Sequence, residues 1–170
     1  MLKGSRLITH ARRLESARAL ETFLGRARRL GARLAGILWQ LPPTQQRDDE
    51  RLLRFLERLP SSVLQAVEFR HPSWRASEVD RLLEGSGVAR VAVSTPALGV
   101  ETFPDAGPIY VRFHGLSAGY AHDYTHAELK PWAEALRAAA AEGRSGFAFF
   151  NNDGEARAPS DAAQLRTMLQ

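Results

Sequence analysis

The chain has no cysteine, only two methionines and no apolar run approaching the roughly 20 residues a membrane-spanning helix needs. The first absence excludes disulfides, thiolate metal sites and a cysteine nucleophile, and it fits a reducing, cytoplasmic setting. The lack of an apolar stretch in MLKGSRLITHARRL leaves no secretory signal to read and no membrane partner to expect. Phosphate-loop and dinucleotide fingerprints are missing, as is the GxSxG elbow of serine hydrolases, so Ser94 and Thr95 have no hydrolytic context. No composition or motif names a cofactor.

What is present is a strong alternation. GILWQLPP, LQAVEFRHPSW, ARVAVSTP, IYVRFHG and GFAFFNND are short apolar runs that stop at polar or ionisable residues, and stretches of helical spacing separate them. This is the pattern of βα units in a parallel sheet, and in such folds ligands bind at the carboxyl ends of the strands. A length of 170 residues and 44% apolar content suit one soluble domain over residues 1–170.

The expected elements run in order. A basic amphipathic helix over residues 14–33 precedes a strand from Ile37 to Leu41; a helix from Asp48 to Leu59 precedes a strand from Val63 to Phe69. Ser77 is expected to cap the next helix, and Val88 to Ser94 forms a strand followed by a long connection to Pro108. Ile109 to His114 is a strand, Gly115 to Tyr124 a loop long enough to serve as a lid, and Thr125 with Glu128 a capping box. Gly146 to Phe150 is the last strand and Asp161 to Leu169 a closing helix.

Period-2 geometry gives the strand faces. Val67 and Phe69 face helices, so Glu68 and Arg70 face inward; Tyr110, Arg112 and His114 are inward on their strand, and Ala92 with Ser94 on theirs. Glu68 between Arg70 and Arg112 is costly to bury alone. Either these charges form a structural network, or the arginines hold an anion while Glu68 serves as acid or base. His71 and His114 stand at strand ends as candidate general acids or bases. Asn151, Asn152 and Asp153 end the last strand, where Asn152 is placed to position a ligand and a turn is the alternative. A metal site from Glu68, His71, His114 and Asp153 lacks any supporting local spacing, so none is assigned.

Charge is uneven. Residues 1–34 carry nine Lys or Arg against Glu15 and Glu21, and the rest of the chain is acidic on balance. A basic amino-terminal third suits phosphates or acidic polymers, although no aromatics interleave with these arginines as a single-strand platform requires. Nucleic acid is thus a weaker partner than a small anion.

The series RLITHARRL, ILWQLPP, VEFRHPSW, YVRFHG, YTHAELKPWAE and FFNND resembles the YecE-like family, domain of unknown function 72, over essentially the whole chain. The resemblance implies a (β/α)8 barrel of TIM type without an established reaction. It implies mouth positions at Lys3, Thr9, His10, Gln40, Pro42, Glu68, Arg70, His71, Trp74, Arg112, His114, Gly115, Asn151, Asn152 and Asp153.

Two departures accompany it. The Gly-Ser/Thr-Gly-Trp strand and the second strand resembling FNTVEINSTFY do not occur, and GEARAPSDAAQL replaces a Gly-Tyr-Ala-Val-Asn-Ala-like turn. The expectation is therefore an α/β fold, an incomplete (β/α)8 TIM barrel with five full βα units and a strand-three stub at Leu2 and Lys3. Its sheet edge would be open to self-association. The functional expectation is an enzyme binding a phosphorylated or carboxylate small molecule. The alternatives are a nucleic-acid-binding or metal-assisted phosphodiester-processing protein, and an inactive fragment or misassigned start.

Overall fold

Each apolar run of the sequence becomes a strand, and most of the stretches between them become helices. The computed structural model describes residues 1–96, 99–100 and 103–170. They fall into two units, Met1–Val91 and Ala92–Gln170.

In the first unit β1 (Leu2–Lys3), β2 (Gly36–Gln40), β3 (Leu64–Glu68) and the start of β4 (Ala89–Thr95) pair in parallel, with Leu2 opposite Ile37, Ile37 opposite Gln65, and Val67 opposite Arg90. Parallel neighbours need crossovers, supplied by α1 (Ala17–Ala27), α2 (Asp49–Leu56) and α3 (Ser77–Gly85). Ile37, Trp39, Leu41, Val67 and Phe69 share one strand face and pack with Leu20, Leu24, Leu52, Phe55, Val79 and Leu83. Trp39 is fully buried, edge-on to Phe23 (5.3 Å) and Phe55 (5.1 Å), and its Nε1 donates to Gln65 Oε1 at 2.9 Å. Gly4 lies against that indole so closely that a Cβ would collide with it.

Helix ends follow local chemistry with two differences from expectation. Ser16 and Asp48 accept from the Ala19 and Arg51 amides as N-caps. Ser77, however, is the first helical residue: Ala76 occupies the cap position and no side chain caps it. The expected helix over 14–33 is shorter, because Leu14 adopts left-handed φ (+73°) ahead of the Ser16 cap, and residues 28–33 tighten into a 3₁₀ turn containing Gly31 at φ +52°.

In the second unit β6 (Ile109–Phe113) pairs in parallel with β7 (Gly146–Phe150), Ile109 opposite Gly146 and Phe113 opposite Phe150. Gly99–Val100 forms a two-residue strand, β5, antiparallel to Ser94–Thr95 within the expected connection. Residues 97–98 and 101–102 of that connection lie outside the described residues. Its end is gathered by Arg144, which donates to the carbonyls of Pro104, Asp105, Ala106 and Gly107.

Ile109, Val111 and Phe113 pack against α4 (His126–Ala141) and α5 (Arg157–Met168) through Leu129, Trp132, Ala133 and Leu165. Phe113 centres this core, stacked on Phe150 at 4.3 Å and edge-on to Trp132 and Tyr124. The capping box of Thr125 and Glu128 is formed. α5 begins at Arg157, a turn before the expected Asp161, with Pro159 in the first turn where its missing N–H costs nothing.

The inward assignment of Ala92 and Ser94 is corrected. Ala92 lies in the core with Ile109 and Val111, and Ser94 Oγ accepts from the buried Tyr124 hydroxyl at 2.7 Å. The phase of β4 is set by Arg90, which reaches Asp80 on α3 at 2.8 Å and lies over the Phe69 ring. Residues 90, 92 and 94 therefore share the helix side. Among the described residues no helix is long and apolar enough to cross a membrane.

Candidate functional site

At the carboxyl end of β3, Glu68 is completely buried on the face opposite the helix-side core, and its Oε1 is bonded directly to Arg70 Nη2. A buried carboxylate without a cation is strongly unfavourable, so the alternation that carries Glu68 to this face also requires the cation two residues on. Gln40 stands opposite Glu68 in the β2–β3 register, and the Leu41 amide donates to the Glu68 carbonyl at 2.9 Å. Lys3 ends β1 opposite Leu38. Of the two arginines expected around Glu68, Arg70 is thus paired with it just beyond the end of β3.

After β1 the chain makes a single wide turn, Leu7–Ala11, that carries Thr9 and His10. Thr9 is buried, with its Oγ1 2.8 Å from His10 Nδ1 and 3.3 Å from the Ser5 carbonyl. Burial lowers the His10 pKa from its ordinary 6.5, and the positive charges of Arg6 and Lys3 lower it further. Beyond the turn follow Arg13 (φ +43°) and Leu14 (φ +73°), conformations that L residues adopt only at a cost.

His71 and Trp74 behave differently. Ser73 donates its amide to His71 Nδ1 at 3.1 Å, so the neutral ring carries its proton on Nε2. Trp74 is buried on the helix side, stacked on Phe69 at 4.5 Å, its Nε1 donating to the Gln45 carbonyl at 2.8 Å.

In the second unit, Arg112 lies on the opposite face of β6 from the core and donates from Nε to Asn151 Oδ1 at 3.1 Å. Tyr110 shares that face, 5.2 Å from the Phe149 ring. His114 is buried, its amide bonded to the Ser94 carbonyl at 2.8 Å. Gly115 has φ +88°, and a Cβ there would strike the Gly119 carbonyl.

Asn152 is fully buried. Its Nδ2 donates to the His122 carbonyl (2.7 Å) and to Asp161 Oδ2 (2.5 Å), while Asp161 Oδ2 also accepts from the Tyr124 amide (3.2 Å). Tyr124 OH donates to Ser94 and accepts from the Gly115 amide at 3.0 Å. Burial raises the Asp161 pKa above 3.8, against the lowering effect of the Asn152 and Tyr124 hydrogen bonds. Asp153 is exposed and opens a short turn leading to Glu155 (φ +56°) and Ala156 (φ +59°).

Sequence reading missed Asp161, Tyr124 and His122 as members of this network. The available signal was only that Tyr124 precedes a capping box and that Asp161 lies on a helix. Partners 30 and 37 residues apart leave no local spacing to detect. Among the described residues no group of three His, Asp or Glu side chains is arranged to hold a metal ion.

The sequence model of the family described as "Protein of unknown function DUF72" matches residues 1–170. A crystal structure of a DUF72 family protein from Thermotoga maritima MSB8 superposes with a TM-score of 0.83 at 27% identity, covering 98% of this chain and 72% of that one. A DUF72 family protein from Enterococcus faecalis V583 superposes with a TM-score of 0.73 at 20% identity, covering 91% of this chain and 66% of that one, a likeness of fold. No curated protein matches the sequence significantly.

Proposed function

The chain belongs to the DUF72 family, and from that premise we propose that it binds a phosphorylated or carboxylate small molecule at the carboxyl ends of its strands. The observation that carries this reading is the buried Glu68 bonded to Arg70 at the end of β3. Arg70 offers a planar fork suited to a carboxylate or phosphate. Lys3 and Arg6 add positive charge, which lowers the His10 pKa further than burial alone does.

In this reading Arg70 and Lys3 hold the anion, Gln40 orients it, and Glu68 or His71 moves a proton. Arg112 and His114 provide the same chemistry at the end of β6, with Asn151 fixing the guanidinium. Anion binding to the native state raises the melting temperature, with stabilisation growing as the logarithm of one plus the ratio of ligand concentration to its dissociation constant. The test is a thermal-shift series with inorganic phosphate, sugar phosphates and dicarboxylates. Stabilisation that disappears in Arg70→Gln and Arg112→Ala supports the proposal; absence of any anion response sinks it.

A further inference from the structure

Between the Leu7–Ala11 turn and α1 lies a groove of about 360 Å³. Its sides carry Arg12, Arg18 and Arg26, and Ala19 and Phe23 supply apolar surface above the buried Ile8. Leu7, also in its lining, is 52% exposed. Arg18, Thr22 and Arg26 recur every fourth residue and so form one stripe of α1. Among the described residues, none of Arg12, Arg18 and Arg26 pairs with a carboxylate; of the two acids nearest in sequence, Glu15 is engaged by Arg51 at 3.3 Å and Glu21 forms no ion pair with Arg18.

We propose that this groove is a docking site for an acidic peptide segment with one large apolar side chain set between carboxylates. Charge complementarity selects an anion, because three unpaired guanidiniums repel one another until a partner neutralises them. The apolar surface selects a peptide. A nucleic-acid strand calls for aromatic stacking, and Phe23 is the one aromatic ring lining the groove. A leucine or phenylalanine suits the surface formed by Leu7, Ala19 and Phe23. Spacing agrees: Arg18 and Arg26 are separated by about 12 Å along the helix, at ~1.5 Å per residue. An extended peptide covers that distance in about four residues at ~3.3 Å each. The recognised pattern is therefore acidic–x–apolar–x–acidic.

The experiment is fluorescence anisotropy of the full chain with a labelled peptide Glu-Asp-Glu-Ser-Leu-Ser-Glu-Asp at low and physiological salt. The same peptide with Leu replaced by Ser, and an oligothymidylate of equal charge, are compared. The expected result is binding that weakens about tenfold without the leucine, and about tenfold or more in Arg18→Glu/Arg26→Glu, one decade being about 1.4 kcal/mol. Leu7→Ser should weaken the leucine peptide and leave its serine counterpart unchanged. Arg166→Glu, a charge reversal on exposed α5, should leave binding as it was, and melting curves establish that each variant is folded. No binding at low salt, equal affinity for the leucine and serine peptides, or tighter binding of the oligothymidylate would overturn the proposal.

Discussion

The two units share an arginine at the carboxyl end of a parallel strand but surround it differently. In the first, the end of β3 carries an ionised pair, Glu68 and Arg70, and the surface around α1 carries arginines without carboxylate partners. In the second, the residues after β6 and β7 are bound into a buried network in which Asn152, Asp161, Tyr124 and Ser94 secure the Gly115–Tyr124 loop. One arrangement centres on a charge pair; the other, Arg112 apart, spends its polar groups on holding backbone. Both units also place two consecutive non-glycine residues at positive φ beyond a strand end, Arg13–Leu14 and Glu155–Ala156.

The contrast fails most visibly if the charged pair proves the weaker of the two. Arg70→Ala removes the cation paired with a buried carboxylate and should cost about 3 kcal/mol in urea unfolding, whereas Glu68→Gln, which removes the charge and keeps the shape, should cost less. Asn152→Ala withdraws the donor from Asp161 and from the His122 carbonyl, for an expected loss of about 2 kcal/mol. Its hydrogen-exchange protection should fall at residues 115–125 before it falls elsewhere. Ala156→Gly relieves one left-handed residue and should stabilise by less than about 1 kcal/mol, since glycine's extra chain entropy offsets part of the gain. A loss of stability there would mean that the turn is not strained.

The smallest effects are in pH, and they have opposite signs. The lowered His10 pKa gives a contribution that is complete above the ordinary value of 6.5 and is lost as pH falls through the depressed one; His10→Gln should remove that slope. The raised Asp161 pKa gives a contribution present below 3.8 and lost as pH rises through the elevated value, which Asp161→Asn should abolish. In an NMR titration, phosphate bound beside Lys3 and Arg6 should shift the His10 pKa upward, and an unmoved His10 would argue against an anion at that end of β1.

Much of this was legible in the sequence because it is local. The apolar runs, the capping box and the Glu68–Arg70 alternation each depend on residues within a few positions of one another. The phase of β4 was not, because Arg90 is a charged residue that faces helices, held by Asp80 and the Trp74 carbonyl. Nor was the role of Asn152: a polar run ending a strand reads equally as a turn, a ligand contact or a structural amide until Asp161 is brought beside it. Trp74 shows the reverse, since a residue placed at the mouth by resemblance packs on the helix side.

Tyr124 closes the base of the Gly115–Tyr124 loop with a single hydroxyl, and His122 is held to Glu128 Oε2 at 3.3 Å. Such a loop behaves as a non-covalent ring. Its two stems are tied where the chain enters and leaves, and Tyr120 at its crest is 65% exposed. For protein engineering that makes the exposed residues 117–118 the natural graft point of the second unit, where an inserted peptide or reporter would be carried by the existing clasp.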